Sequence, residues 1–217
     1  MIIVAISASR RVASCAVQLA DGTLVTAEDK NARGAQLPAL VAETFERQGL
    51  QPSELGAIRV DLGPGSYTGL RVAVTLARFA SRFGTASIET TTSYELATAV
   101  HQRESANPAK THRVVFDARR ERVHVGEVTL EESQLRVPAT PDAAPIESFR
   151  ETLATGQHLL GDASLKPWLQ AACEAAGAVL HPIPGYRAAD LFDPMVQCRQ
   201  CQPEQLEPLY LMGSYAE

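Results

Sequence analysis

Three short strand-like segments precede the first helical stretch, and this order narrows the possible folds more than any other feature of the chain. Ile2 to Ala8, Ala13 to Leu19 and Thr23 to Glu28 are each rich in β-branched or alternating apolar residues. Asp21-Gly22 supplies a turn between the last two, so the three read as an antiparallel meander. A helix is predicted from Gln36 to Gln48, with Leu37, Leu40, Val41 and Phe45 on one face and Gly49 as its stop. Ala57 to Asp61 then reads as a buried strand and Thr68 to Arg82 as a second helix. Ala86 to Glu89 reads as a strand and Thr92 to Arg103 as a third helix. A doubly wound dinucleotide fold alternates strand and helix from the outset, so three leading strands argue against it.

Asn107-Pro108 lies in a polar stretch and sets the expected boundary between lobes 1–106 and 107–217. Beyond it, Arg113 to Asp117 and Arg122 to Leu130 read as strands joined by the charged turn Ala118-Arg119-Arg120-Glu121. Pro138, Pro141 and Pro145 mark a loop from Val137 to Ile146. His158 to Leu160 reads as a short strand, and Lys166 to Ala176 as a helix closed by Gly177. A second strand-led half behind the first fits an α/β, two-lobed, actin-like fold with ribonuclease-H-like lobes, the ASKHA group.

The chain has 217 residues, of which 45% are hydrophobic, enough for a substantial core. Lys and Arg total 20 against 25 for Asp and Glu, a formal net charge of −5. A chain acting alone on RNA needs cationic surface, because phosphate neutralisation supplies most non-specific affinity. Any RNA role is therefore expected to run through a partner. No apolar run approaches the ~20 residues of a membrane span. The start, MIIVAISASRR, puts its charges after the apolar stretch, unlike a secretory leader, which predicts a cytoplasmic protein with reduced cysteines. Cys198 and Cys201 are close in sequence, but Cys15 and Cys173 stand alone, a poor pattern for structural zinc.

The most distinctive segment is Gly63-Pro64-Gly65-Ser66-Tyr67-Thr68-Gly69-Leu70-Arg71, between a strand and a helix. Its glycines permit a tight turn and close approach, and Ser66 or Thr68 can cap the helix. A phosphate loop needs Lys after its last Gly, where Leu70 stands, and a nucleophile elbow needs Gly where Pro64 stands. A dinucleotide fingerprint wants a third Gly at Thr68, although Glu89 lies at a plausible ribose-binding distance. In the helix behind the turn, Leu70, Val72, Ala73, Val74, Leu76, Ala77, Phe79 and Ala80 spread beyond one face. Such a helix must be covered on several sides, by its own core or by another subunit.

With these residues in place, the chain resembles the TsaB (YeaZ) family, partner subunits of the tRNA threonylcarbamoyltransferase TsaD. The family's Gly-Pro-Gly-Ser-aromatic-Thr-Gly-Leu-Arg is matched in full by Gly63 to Arg71. Leu37-Pro38, Thr92-Ser93-Tyr94-Glu95, Asp117-Ala118-Arg119, Tyr186-Arg187-Ala188-Ala189-Asp190-Leu191 and Pro208-Leu209-Tyr210-Leu211 resemble further family motifs in order. The resemblance implies a non-catalytic scaffold or activating subunit in the making of threonylcarbamoyladenosine in tRNA. It implies a heterodimer with TsaD, joined by the ATPase TsaE, with tRNA met indirectly through the complex and a homodimer possible through the same helices. The implied partner interface is Leu37, Leu40, Val41, Gly63 to Arg71 (with Pro64, Gly65, Ser66, Tyr67, Thr68, Gly69 and Leu70), Val72 and Leu76. Substitutions Leu76→Asp or Gly69→Arg are expected to abolish pairing while leaving the lobes folded.

Two departures stand out. The family usually begins Ile-Asp-Thr-Ser, whereas Ile6 is followed here by Ser7-Ala8-Ser9, and Ser7 cannot anchor a metal-phosphate. Gly34-Ala35-Gln36 replaces the usual His-Ser-Glu. TsaD holds its metal with two histidines four apart on a helix, and no pair among His101, His112, His124, His158 and His181 has that spacing. His112 and His124 could approach across a hairpin, yet two imidazoles alone make a poor site. No catalytic residue, metal or cofactor is therefore expected. The alternative is a nucleotide-binding phosphotransferase or ATPase of the same fold; a peptidase lacks a nucleophile-base pair.

Overall fold

The computed structural model describes residues 1–30, 34–106 and 109–209. The expected boundary at Asn107-Pro108, and the motif residues Tyr210-Leu211, lie outside the described residues. Two compact units are present: Met1–Ser93 with Tyr186–Leu209, and Tyr94–Gly185.

In the first unit, strands β1 (Ile2–Ser7), β2 (Ala13–Gln18) and β3 (Leu24–Asp29) form the antiparallel meander that the leading segments predict. Helix α1 (Leu37–Arg47) follows, then β4 (Leu55–Asp61), α2 (Tyr67–Phe83) and β5 (Ser87–Thr91). β4 pairs parallel with both β1 and β5. The sheet is completed by β12 (Arg199–Cys201), antiparallel to β5, giving the order β12-β5-β4-β1-β2-β3. β12 runs through Cys-Arg-Gln-Cys, a stretch too short and polar to announce a strand, and both thiols are free. The core comprises Val4, Ile6, Val17, Leu37, Ile58, Val60, Ala73 and Ala77, with Leu206 from the returning segment.

The second unit repeats the plan. Helix α3 (Ser93–Glu104) leads into β6 (Thr111–Arg119), β7 (Arg122–Glu131) and β8 (Gln134–Arg136), again antiparallel. β9 (Asp142–Pro145) pairs with β7 and α4 (Ile146–Arg150) follows. β10 (His158–Gly161), α5 (Lys166–Ala176) and β11 (Val179–Pro182) finish it, with β10 parallel to β6 and to β11. Its order β11-β10-β6-β7-β8 matches β5-β4-β1-β2-β3 strand for strand. Each unit is thus a ribonuclease-H-like lobe, and the fold is actin-like.

Two local expectations change. Val137 to Ile146 is more than a loop, since Asp142–Pro145 pairs with β7; an edge strand tolerates the Pro145 nitrogen that cannot donate. His112 and His124 do not face each other: His112 is opposite Val128, and His124 opposite Phe116. Gly177 closes α5 in the left-handed conformation, as its stop signal predicts (φ 69°). No helix among the described residues is long and apolar enough to cross a membrane.

Candidate functional site

The glycine turn is built by contacts that only glycine permits. A Cβ on Gly65 would land on the Ser9 carbonyl, and one on Gly69 would land on the Ala8 carbonyl. The loop after β1 therefore lies directly against the first turn of α2, and the Ser66 N–H donates to the Ser9 carbonyl at 2.7 Å. A Cβ on Gly34 would stand 2.7 Å from the Gly69 Cα, so the approach to α1 is equally close. Gly63 takes φ 98°, and the peptide bond to Pro64 is cis. Of the two candidate caps, Ser66 serves: its Oγ accepts from the Gly69 N–H at 3.3 Å.

Beneath the turn sits Asp61, the last residue of β4 and fully buried. Its Oδ1 accepts from the Gly63 N–H and the Ser93 hydroxyl, each at 2.9 Å. Its Oδ2 accepts from the Ser7 hydroxyl at 2.9 Å and from the Ser9 hydroxyl. With its one proton committed to Asp61, Ser9 Oγ accepts from the Tyr186 hydroxyl at 3.1 Å. Burial raises the Asp61 carboxyl above its ordinary 3.8, outweighing hydrogen bonds that act the other way. Burial raises the Tyr186 phenol as well, followed by the nearby Asp61 charge.

Chemically, this cluster holds a turn. A carboxylate offers about four acceptor positions, and here four donors occupy them. The seat of the family's usual first-strand acid, Ser7, is a donor to an acid one strand over. Nothing in the spacing of residues 7, 9, 61, 93 and 186 announces this meeting. The only hint is an aspartate closing an apolar strand directly before Gly-Pro-Gly. The motif Tyr186 to Leu191 finds its role here too. Tyr186 closes the network, the Ala188 N–H donates to Ser14 Oγ at 2.9 Å, and Arg187 pairs with Glu28.

The expected interface residues divide by burial. Leu37, Gly63, Pro64, Gly69 and Leu70 are buried within the unit and position the rest. Leu40, Val41, Ser66, Val72 and Leu76 are half-buried, with α1 and α2 in contact. Gly65, Tyr67, Thr68 and Arg71 are exposed, and Arg71 lies over the Tyr67 ring while donating to its hydroxyl at 2.8 Å. Phe79 and Phe83 extend this face; they are stacked at 5.2 Å and are 57% and 76% exposed. Val72, Leu76, Phe79 and Phe83 follow a 4-3-4 spacing, which places them on one stripe of the helix. Phe83 escaped the sequence reading because it lies at the last turn, past the expected end. Gly69→Arg cannot be a clean probe of this surface, since any side chain there strikes the Ala8 backbone.

A family model described as TsaD, tRNA N6-adenosine threonylcarbamoyltransferase, matches residues 30–153. Among solved structures, the chain is similar to YeaZ from Pseudomonas aeruginosa (TM-score 0.74, 18% identity, 96% of this chain and 100% of that one). It is equally similar to an uncharacterized protein with similarity to peptidase YEAZ from Pseudomonas aeruginosa (TM-score 0.74, 19% identity, 97% of this chain and 99% of that one). No curated protein matches the sequence.

Proposed function

This chain belongs to the TsaD family, tRNA N6-adenosine threonylcarbamoyltransferase, and from that premise we propose that it is a TsaB-type, non-catalytic partner subunit in the threonylcarbamoylation of tRNA adenosine. The observation that carries the reading is the stripe Val72, Leu76, Phe79 and Phe83 behind the glycine turn, half-buried at Val72 and Leu76 and open at Phe79 and Phe83. Exposed aromatic pairs of this kind mark protein contacts, because leaving them in water forgoes about 1.5–3 kcal/mol per side chain. The occupant is TsaD, presenting its own equivalent helices, with TsaE joining the pair. A second copy of this chain can take the same place when TsaD is absent. The locked Asp61 supports the non-catalytic half of the reading, as does the lack of two histidines four apart in the sequence.

The test is co-purification with TsaD from the same cell, followed by tRNA modification assays with and without this chain. Association, and a modification rate that depends on the chain, are the expected results. Phe79→Asp and Leu76→Asp should each weaken pairing at least tenfold, about 1.4 kcal/mol, while the circular dichroism spectrum stays unchanged. Normal pairing by both variants would overturn the interface, and turnover of ATP by the chain alone would overturn the non-catalytic role.

A further inference from the structure

Four of the five histidines pack ring against ring in the second unit. His112 on β6, His158 on β10 and His181 on β11 come from three adjacent strands. Arg113 is paired with Leu159 and Leu160 with His181, a register that puts the three rings on one face of the sheet. His101, in the last turn of α3, lies over them, its ring centroid 4.9 Å from that of His112 and 4.6 Å from that of His181. His158 and His181 are stacked at 5.3 Å, and His112 stands edge-on to His158 at 5.9 Å.

This packing tolerates little charge. The Nδ1 of His158 and the Nε2 of His181 stand 3.1 Å apart, a hydrogen bond that one ring donates and the other accepts. An imidazolium has no acceptor nitrogen, so with both rings charged two N–H donors point at each other. His112 is fully buried and neither of its ring nitrogens has a hydrogen-bond partner, so nothing there receives the second N–H of a charged ring. Burial, and after it the His101, His158 and His181 rings, push His112 from the ordinary 6.5 down to about 4. Burial and then His181 and His158 also lower His101, and burial and then His158 lower His181.

Little counter-charge faces the group. On α3, Glu104 favours a charged His101, but it is exposed and ranks behind burial and the two rings. Val114 on β6, Leu160 on β10 and Val179 on β11 share the face and do not ionise. On β7 the same face carries Val128, Gly126 and His124. His124 is lowered by burial and answers to Asp117 and Arg122, outside the group. The nearest cations in the sequence, Arg103 and Lys110, are exposed and add only repulsion.

We propose that His101, His112, His158 and His181 form an acid-sensitive latch, which holds the last turn of α3 against the second sheet while uncharged and releases it when more than one ring is charged. The strands stay together because backbone hydrogen bonds tie β6 to β10 and β10 to β11. The end of α3 is held by ring packing and by the bond from Gln102 Nε2 to the Ala109 carbonyl at 2.7 Å, so it is the part that gives way. Folded rings take protons less readily than released ones. The latch is therefore fully closed above the ordinary value of 6.5 and weakens as pH falls below it. At His112 the weakening continues to about 4, where the folded ring takes its own proton.

The experiment measures backbone hydrogen exchange of the full chain, referred to the unstructured chain at each pH, together with the proton-resonance titration of the histidine rings. A proton that the folded state refuses changes an opening equilibrium about tenfold per pH unit, so His112 alone should cut the protection of α3 about thirtyfold between about pH 7.5 and about pH 5. Strands β1 and β2 of the first unit should keep theirs. His112→Gln should reduce that loss to about threefold or less. His181→Gln, at a half-buried position that the fold tolerates more readily, should reduce it in part, and His124→Gln should leave it at the parent's value. The His112 ring should titrate near 4, far below its ordinary 6.5. Equal protection of α3 at both ends of the range overturns the latch. So does a loss that His112→Gln and His181→Gln leave untouched, or a His112 ring that titrates at the ordinary value.

Discussion

Four donors converge on the Asp61 carboxylate, and their arrangement sets what pH should do to the first unit. With its carboxyl raised above 3.8, the folded protein holds this proton more tightly than the unfolded chain. The stabilising contribution is therefore full below the unfolded value and declines as pH rises through the raised folded one. Asp61→Asn removes that dependence, so the Tm of the variant minus that of the parent should increase as pH rises above the ordinary carboxyl value of 3.8. A thermal melt series checks it, and a difference that shrinks with pH would mean the ionised form is the favoured one. At Gly65, alanine must displace the Ser9 backbone, and we expect Gly65→Ala to destabilise by about 1–3 kcal/mol in denaturant titration. The Ser66 cap was legible because it bonds three residues along. Asp61 was not, because its network joins residues up to 177 positions apart.

At the scale of elements, α2 shows where periodicity stops being informative. Its wide apolar arc was legible, but the arc combines two faces with different fates. Leu70, Ala73, Val74 and Ala77 fill the core, while Val72, Leu76, Phe79 and Phe83 run beside it toward solvent. Composition cannot separate the two, since burial depends on where the sheet lies. Removing the N-cap with Ser66→Ala should cost about 1 kcal/mol of stability, read as a lower denaturant midpoint. The short strands β9 and β12 were illegible for a related reason: three or four residues next to proline or polar neighbours carry too little pattern. Their pairing is dictated by the sheet edge they join. The histidines belong here as well. Two read as a hairpin pair are in fact one member of a four-ring group and one outsider, because adjacency came from strands β10 and β11, far along the chain.

On the scale of the molecule, the leading meander together with the strand-led second half pointed to the fold, and the same topology recurs in the second unit without sequence repetition that could be seen. Each unit has a core of its own. Leu206 is buried in the first core although it comes from the last stretch of the chain. Leu206→Ala should cost about 2–5 kcal/mol, and hydrogen exchange should show protection lost in β4 and β5 while β6 and β7 keep theirs. The segment Tyr186–Leu209 also brings two carbonyls, of Pro203 and Leu206, to the Arg78 guanidinium at 3.1 and 2.6 Å. Chains grow from the N-terminus at about 5–20 residues per second. The ribosome therefore makes Tyr94–Gly185 of the second unit before it supplies the residues that close the first, and α2 waits on the order of ten seconds, its core unsealed, for the strand and tyrosine that complete it.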